Sequence, residues 1–378
     1  MKVLLINREI YPIVSGGKEI FVYQLARGLA KRGHKIYLLS AYKDLWNLRN
    51  VEFVTVPYLD IPAFRTVSFI LNTIQRIHSV VRQVDLINCH ECDFNSLSAF
   101  LIKKIYKKPL VITVHRGSGR LWWPCFVSRK FFKSADRIVA VSKDIADKLR
   151  QMGFNNVCVI PAVSEIERTK YDTEILRKKF GLSTEDLVII FVGRLEPVKD
   201  PRFLIDAINK LDSSFLEEKN IKVIIVGEGR LRESLEKRVQ EYNLADHVKF
   251  IGKIPHERIQ EIYEIADILV STSKYEGSPL SVIEAFGRSI PVICPDTVGF
   301  KRLVVDGNTG LLYLPGNIED FLLKLKKLIG NGQLRKRLGQ SAFELVKNRF
   351  DLDRIINMYE KLYREISYSE TENASIQR

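Results

Sequence analysis

No apolar run in these 378 residues approaches the ~18 needed to span a bilayer. The first residues, MKVLLINREIYP, are too short and too soon charged for a signal peptide; they read as a first strand, and the cytoplasm is the expected location. Cysteine is scarce, at five. Cys89 and Cys92 form one CxxC around His90, but Cys125, Cys158 and Cys294 are scattered singly, so a zinc site is short of ligands. Cys89 and His90 are also strand neighbours and should point to opposite faces. No metal and no cofactor is expected. A complete GxGxxG is missing, as is any recognised RNA or DNA module, and nucleic acid is not the expected partner. Low-complexity segments and short repeats are absent.

What is present is a globular composition, 46% hydrophobic and 28% charged, in a chain long enough for two domains. The net charge of +14 is unevenly placed. Residues 1–170 hold 27 Lys and Arg against 13 Asp and Glu, and the rest holds 32 against 32. The basic half should meet something acidic: a membrane surface, a phosphorylated acceptor or nucleic acid.

Short β-branched runs alternate with amphipathic helical stretches. KVLLIN, KIYLLSA, VEFVTVP, DLINCH, LVITVH, RIVAVS and VCVIP mark the first half; VIIFVG, KVIIVG, VKFIG, DILVST, PVICP and GLLYL mark the second. Alternation of this kind predicts parallel strands joined by right-handed crossovers, here two doubly wound α/β domains in tandem. The charged, aperiodic VSEIERTKYDTE places the seam near 163–185. The expected division is 1–165, 166–350, a C-terminal helix over 351–368 and a polar tail over 369–378. The tail, from SYSETENASIQR, reads as disordered.

Ligands of open parallel sheets bind beyond the carboxyl ends of strands, so the residues that follow strands carry the information. Gly16 and Gly17 stand where a loop enters a helix; they suit close backbone approach to a phosphate or, more simply, a tight turn. His115 ends LVITVH, as a hydrogen-bonding group in a cleft or an ordinary structural histidine. Arg194 and Lys199, in FVGRLEPVKD, suit a diphosphate, by planar fork and point charge respectively. Asp200 and Pro201 should start the next helix. Gly227 and Gly229 make a weak phosphate-loop pattern. FIGKI, with Gly252 and Lys253, offers backbone to a flat heterocycle.

The stretch YEGSPLSVIEAFG is the most informative. Ser278 reads as an N-cap and Pro279 as the first helical residue. The N–H groups of Leu280 and Ser281 then form an anion site. Glu276 precedes that site, and Glu284 lies about one and a half turns into the helix. A phosphate at the helix start would have an acid on either side, and acids accept paired hydroxyls. Ribose, diphosphate and hexose have that layout.

These residues resemble the retaining GT-B glycosyltransferases of family 4, the "glycosyl transferases group 1" set. GG after the first strand, VTVH, FVGRL-x3-K, the E-x7-E of EGSPLSVIEA, PVI, DGNTGLL and the RF…MYEKLY helix carry the likeness along essentially the whole chain. The resemblance implies two Rossmann-like domains with the active site between them, and a last helix crossing back to the first. It implies hexosyl transfer (EC 2.4) from a UDP or GDP sugar to a hydroxyl acceptor, without a metal. By the same likeness Arg194 and Lys199 bind the diphosphate. Glu276, Gly277, Pro279 and the Leu280 and Ser281 amides hold the donor sugar, and Glu284 holds the ribose. Gly16 and Gly17 approach phosphate or sugar, and His115 sits beside the reaction centre. The one DxD, Asp351 to Asp353, is better read as capping the last helix.

Three departures bear on the donor. The usual Lys-Gly is Lys199-Asp200. The small pair before PVI is shifted, leaving Gly287, Arg288 and Ser289. The usual GG-x-x-E reads TVGFKRLV, which brings Phe300, Lys301 and Arg302 toward the donor loop. On the acceptor side, RGSGRLWWPCFVSRKFFKSA and FRTVSFILNTIQRIHSVVRQ interleave cations with apolar residues, as at a membrane surface. These segments point to a lipid-linked or membrane-proximal acceptor, and to the cytoplasm with its membrane face as the place; the plainer reading of 64–83 is a helix packed on the sheet with solvated charges. Two rivals remain: a sugar-nucleotide epimerase on this fold, and a non-catalytic nucleotide-sugar or nucleic-acid binding protein.

Overall fold

The structure is a computed structural model of the 378-residue chain. It describes all residues except 15–16, 59–64, 91–94, 116–125, 162–170, 256–257, 277–278 and 377–378. The chain divides into two compact units, Met1–Val163 with Leu352–Arg378, and Ser164–Asp351. The expected seam begins in residues 162–170, outside the described residues; its remainder belongs to the second unit.

In the first unit the strands are β1 (Lys2–Ile6), β2 (Lys35–Ser40), β3 (Val51–Thr55), β4 (Leu86–Cys89), β5 (Leu110–Val114), β6 (Arg137–Ala140) and β7 (Val157–Val159). They form one parallel sheet in the order β3-β2-β1-β4-β5-β6-β7. Residues Val3 to Ile6 are buried without alternation, the pattern of a strand covered on both faces. The helices are α1 (Gly17–Lys31), α2 (Arg65–Val81), α3 (Asn95–Tyr106), α4 (Phe126–Ser134) and α5 (Lys143–Gln151). From β4 onward the crossovers all run one way along the sheet, so α2 to α5 share a face and α1 takes the other; α2 packs on α3, and α3 on α4.

The second unit holds α6 (Thr173–Lys179), β8 (Leu187–Val192), α7 (Pro201–Ile208), α8 (Ser213–Glu218), β9 (Ile221–Val226), α9 (Arg232–Glu241), β10 (Val248–Gly252), α10 (Ile259–Glu264), β11 (Ile268–Val270), α11 (Leu280–Gly287), β12 (Val292–Pro295), α12 (Val298–Lys301), β13 (Gly310–Tyr313), α13 (Ile318–Ile329) and α14 (Gly332–Arg349). Its parallel sheet runs β10-β9-β8-β11-β12-β13. Alternation along β8 sends Ile189 and Phe191 into the core under α7, α9 and α13. Val188 and Ile190 go into the core under α10, α11 and α14. Both sheets match the expected doubly wound architecture strand for strand.

The last helix, α15 (Leu352–Ile376), belongs to the first unit and packs on α1. It continues through most of the segment expected to be disordered. Residues 367–376 contain no glycine or proline, so nothing local stops a helix already seeded by packing. Asp353 in its first turn pairs with Arg32 (Oδ1 to Nη2, 2.8 Å), so this carboxylate has a structural partner. Among the described residues no group of three or more His, Cys, Asp or Glu could hold a metal, and no helix is long and apolar enough to cross a membrane. Cys92 lies outside the described residues; Cys89 is buried and forms no disulfide among the described residues.

Candidate active site

In a parallel sheet every carboxyl end lies on one edge, so the loops after β10, β9, β8, β11 and β12 are neighbours in that order. Three of them interlock through glycine. A Cβ on Gly227 would come within 1.9 Å of the Gly193 carbonyl, and one on Gly229 within 2.4 Å of Leu195 O. The GEG pattern thus lets the β9 loop lie on the β8 loop, where Leu195 N donates to Glu228 O (2.9 Å). Gly252 ends β10 at φ +76, in the left-handed region, and its carbonyl accepts from Gly227 N (2.8 Å). Lys253 follows, exposed.

The β8 loop carries both predicted cations. Arg194 is exposed, and its guanidinium makes no hydrogen bond or ion pair among the described residues. Lys199 bonds Glu276 through Nζ and Oε1, in a pair that is largely but not wholly buried. Asp200 caps α7 at φ +47, with Pro201 as the first helical residue. The departure from Lys-Gly therefore falls on a position whose backbone favours glycine. Two side chains hold it there: Thr272 Oγ1 lies 2.8 Å from each of the Lys199 and Asp200 carbonyls, which share its one hydroxyl proton, and Lys274 Nζ pairs with Asp200 Oδ2 (3.0 Å).

Glu276 follows β11. Gly277 and Ser278 lie outside the described residues. Pro279 takes the N-cap position of α11, one residue later than expected, and the helix begins at Leu280. Pro279 has no side-chain hydrogen bond to give, so the boundary is set by the backbone: its carbonyl accepts from Val282 N (3.0 Å) and Ile283 N (3.2 Å). Leu280 and Ser281 are half-buried and precede those bonds. Glu284 is only 7% exposed. The buried Tyr263 hydroxyl donates to its Oε2 at 2.7 Å, and burial together with this carboxylate raises the phenol's pKa well above the ordinary range.

The altered donor loop turns out not to crowd this site. Phe300 is fully buried in the core beneath α11, and Lys301 pairs with Asp296 at 2.8 Å. Gly299 is the residue that faces the site: a Cβ there would stand 2.2 Å from the Glu276 carbonyl. Arg288 stands at the other end of α11, bonded to Gln260 (2.9 Å) and Glu264 (3.0 Å), with Tyr171 against its guanidinium. Ser289 at φ +58 ends that turn.

In the first unit, Gly17 opens α1 and is exposed; Gly16 lies outside the described residues. Lys18 and Glu19 form a buried ion pair at 3.0 Å. His115 follows β5, its Nε2 3.2 Å from Nδ1 of His90 and its ring edge-on to Phe21. His90 is wholly buried; burial, with the Lys18 charge, drives its pKa down to about 3, so it is neutral. In the sequence His90 stands out only as a residue inside the Cys89–Cys92 CxxC. Tyr263, Thr272, Lys274 and Gly299 were likewise missed as supports of the site. Of these only Tyr263 had a local signal, since a tyrosine on a core stripe needs a partner for its hydroxyl.

The model for glycosyl transferases group 1 matches residues 172–345, and the model for glycosyltransferase family 4 matches residues 15–167. An uncharacterized glycosyltransferase of Methanocaldococcus jannaschii is 29% identical, across 97% of this chain and 99% of its own length. Among solved structures, sucrose-phosphate synthase from Thermosynechococcus elongatus superposes with a TM-score of 0.84 at 20% identity, over 97% of this chain and 99% of that one. HepE of Anabaena, in complex with UDP-glucose, superposes with a TM-score of 0.80 at 20% identity, over 97% and 100%. With two matched domain models in tandem on two doubly wound sheets, the chain belongs to the GT-B glycosyltransferases of group 1.

Proposed function

We propose that this chain moves a hexosyl group from a UDP or GDP sugar to a hydroxyl of a lipid-linked acceptor at the cytoplasmic membrane face, with retention and without a metal. One observation carries the donor side: the Lys199–Glu276 pair stands beside the start of α11, with Glu284 held within that helix. HepE, of the same fold, is described with UDP-glucose, which supports a uridine donor. In this reading Arg194 and Lys199 take the diphosphate, Glu276 and the Leu280 and Ser281 amides take the hexose, and Glu284 takes the ribose hydroxyls. Gly252 and Lys253 offer main chain to the base. His115, Gly16 and Gly17 are assigned to the reacting end.

The chemistry follows from charge. The bond from the anomeric carbon to the diphosphate oxygen breaks, and its electrons go to the phosphate. Positive charge grows on the sugar and negative charge on the leaving group. Two cations and a helix start stabilise the latter. The acceptor oxygen bonds the anomeric carbon on the face the phosphate leaves, and its proton passes to that phosphate. No protein nucleophile is needed, and Glu276 is assigned a hydroxyl-binding role. Nothing observed favours an epimerase.

A panel of UDP, GDP and ADP sugars, read by thermal shift and by release of nucleoside diphosphate in the presence of EDTA, tests this. Stabilisation by one nucleotide with slow diphosphate release is the expected result. A folded protein that no nucleotide stabilises would overturn it.

A further inference from the structure

The layer formed by α2, α3 and α4 has a peculiarity of charge. No Asp or Glu occurs anywhere in residues 61–84 or 94–135, which contain all three helices, and those two stretches carry twelve Lys and Arg. Lys103 is tied inward to Asp136. Arg76, Lys104, Lys107, Arg129 and Lys133 are exposed.

The same surface carries unspent apolar side chains. Phe69, Ile70, Ile77 and Val81 of α2 are buried against the unit. Val67 and Leu71, one turn apart, point outward at 53% and 62% exposure, and Ile105 of α3 does so at 54%. His78 Nδ1 and the Tyr106 hydroxyl, 2.8 Å apart, join α2 to α3 along this outer side.

We infer that the outer side of α2–α3–α4 docks on an anionic lipid surface. Cations of one sign with no acid among them suit phosphate-bearing headgroups. Aliphatic side chains between those cations gain by entering the headgroup boundary, whereas the sugar-phosphate backbone of a nucleic acid gives them nothing to bury against. Docking here does not depend on the glycosyl-transfer reading, and it gives that reading's lipid-linked acceptor a physical location.

Co-sedimentation of the full chain with vesicles tests it. Binding is expected to vesicles of two-thirds phosphatidylcholine and one-third phosphatidylglycerol, to fall steeply with added salt, and to be absent with phosphatidylcholine alone. Leu71→Glu should lower the partition about tenfold. Lys104→Glu combined with Lys133→Glu should lower it at least about tenfold, since each cation near such a surface contributes about fivefold. All three positions are exposed, so both variants should fold, with diphosphate release unchanged. Equal binding to neutral vesicles, wild-type binding by both variants, or retardation on poly(U) RNA where vesicles are not bound would each overturn the inference. Loss of nucleotide-sugar turnover with vesicle binding intact would instead count against the enzyme assignment alone.

Discussion

The two acids of the E-x7-E element are held by different means, and each can be perturbed alone. Glu276 balances Lys199 across two loops. Lys199→Ala and Glu276→Ala should each abolish transfer while the protein stays folded, because both side chains sit in loops at the sheet edge; retained turnover in either folded variant would remove the assignment. Gly299→Ala should also abolish transfer. Its Cβ would press on a main-chain oxygen of Glu276, which has no flexible end to swing aside. Glu284 instead depends on a phenol. Tyr263→Phe keeps the ring in the core and removes one bond to a charged group, a loss of about 1.5–3 kcal/mol in stability. If the phenol orients Glu284 toward ribose, affinity for UDP should drop several-fold while affinity for 2′,3′-dideoxy-UDP stays put. Equal loss for both nucleotides would show a merely structural tyrosine. Tyr263 and Gly299 act through contacts between segments distant in sequence, which no local pattern displays. Asp200 is a partial exception: the departure from glycine was visible, but the left-handed backbone that makes it matter was not.

At the scale of elements, every strand was legible, because buried parallel strands write themselves as apolar runs between charged helical stretches. What was not legible was how α15 attaches. The first unit gives it a groove at Gly28, where a Cβ would stand 2.6 Å from Ile356 Cδ1. Arg32 reaches Asp353 and Glu360 at 2.8 Å each, and His34 Nε2 lies 2.6 Å from Glu360 Oε1. Asn88 Nδ2 donates to the Tyr363 hydroxyl at 2.6 Å. Gly28→Leu should therefore destabilise by about 1–3 kcal/mol through overpacking, measurable by urea unfolding. Burial pushes the Glu360 carboxyl up, but its bonds to His34 and Arg32 outweigh this and leave its pKa lowered. A carboxylate with a depressed folded pKa stabilises above its unfolded value and loses that contribution as pH falls through the folded one. The melting-temperature gap between wild type and Glu360→Gln should be open at neutral pH and close in acid, below about pH 4.

Over the whole molecule, charge and chain path divide the two units. The basic excess lies in the half of the sequence that builds the first unit, and the docking surface concentrates it further. The second unit is made from one continuous stretch, Ser164–Asp351, with its own two-sided core. Expressed alone, it should fold and unfold cooperatively by circular dichroism, whereas residues 1–163 without α15 should not. A cooperative melt of 1–163 would show that α15 is dispensable. This path has a consequence for synthesis on the ribosome. The message for residues 1–163 yields a sheet whose closing helix has yet to be translated, and the entire second unit can emerge and fold in the interval. Until then Phe21, whose ring lies 6.0 Å from that of Tyr359, lacks its lasting neighbour, as do Gly28 and Asn88, and a chain stalled before Leu352 would present that bare strip to chaperones and proteases.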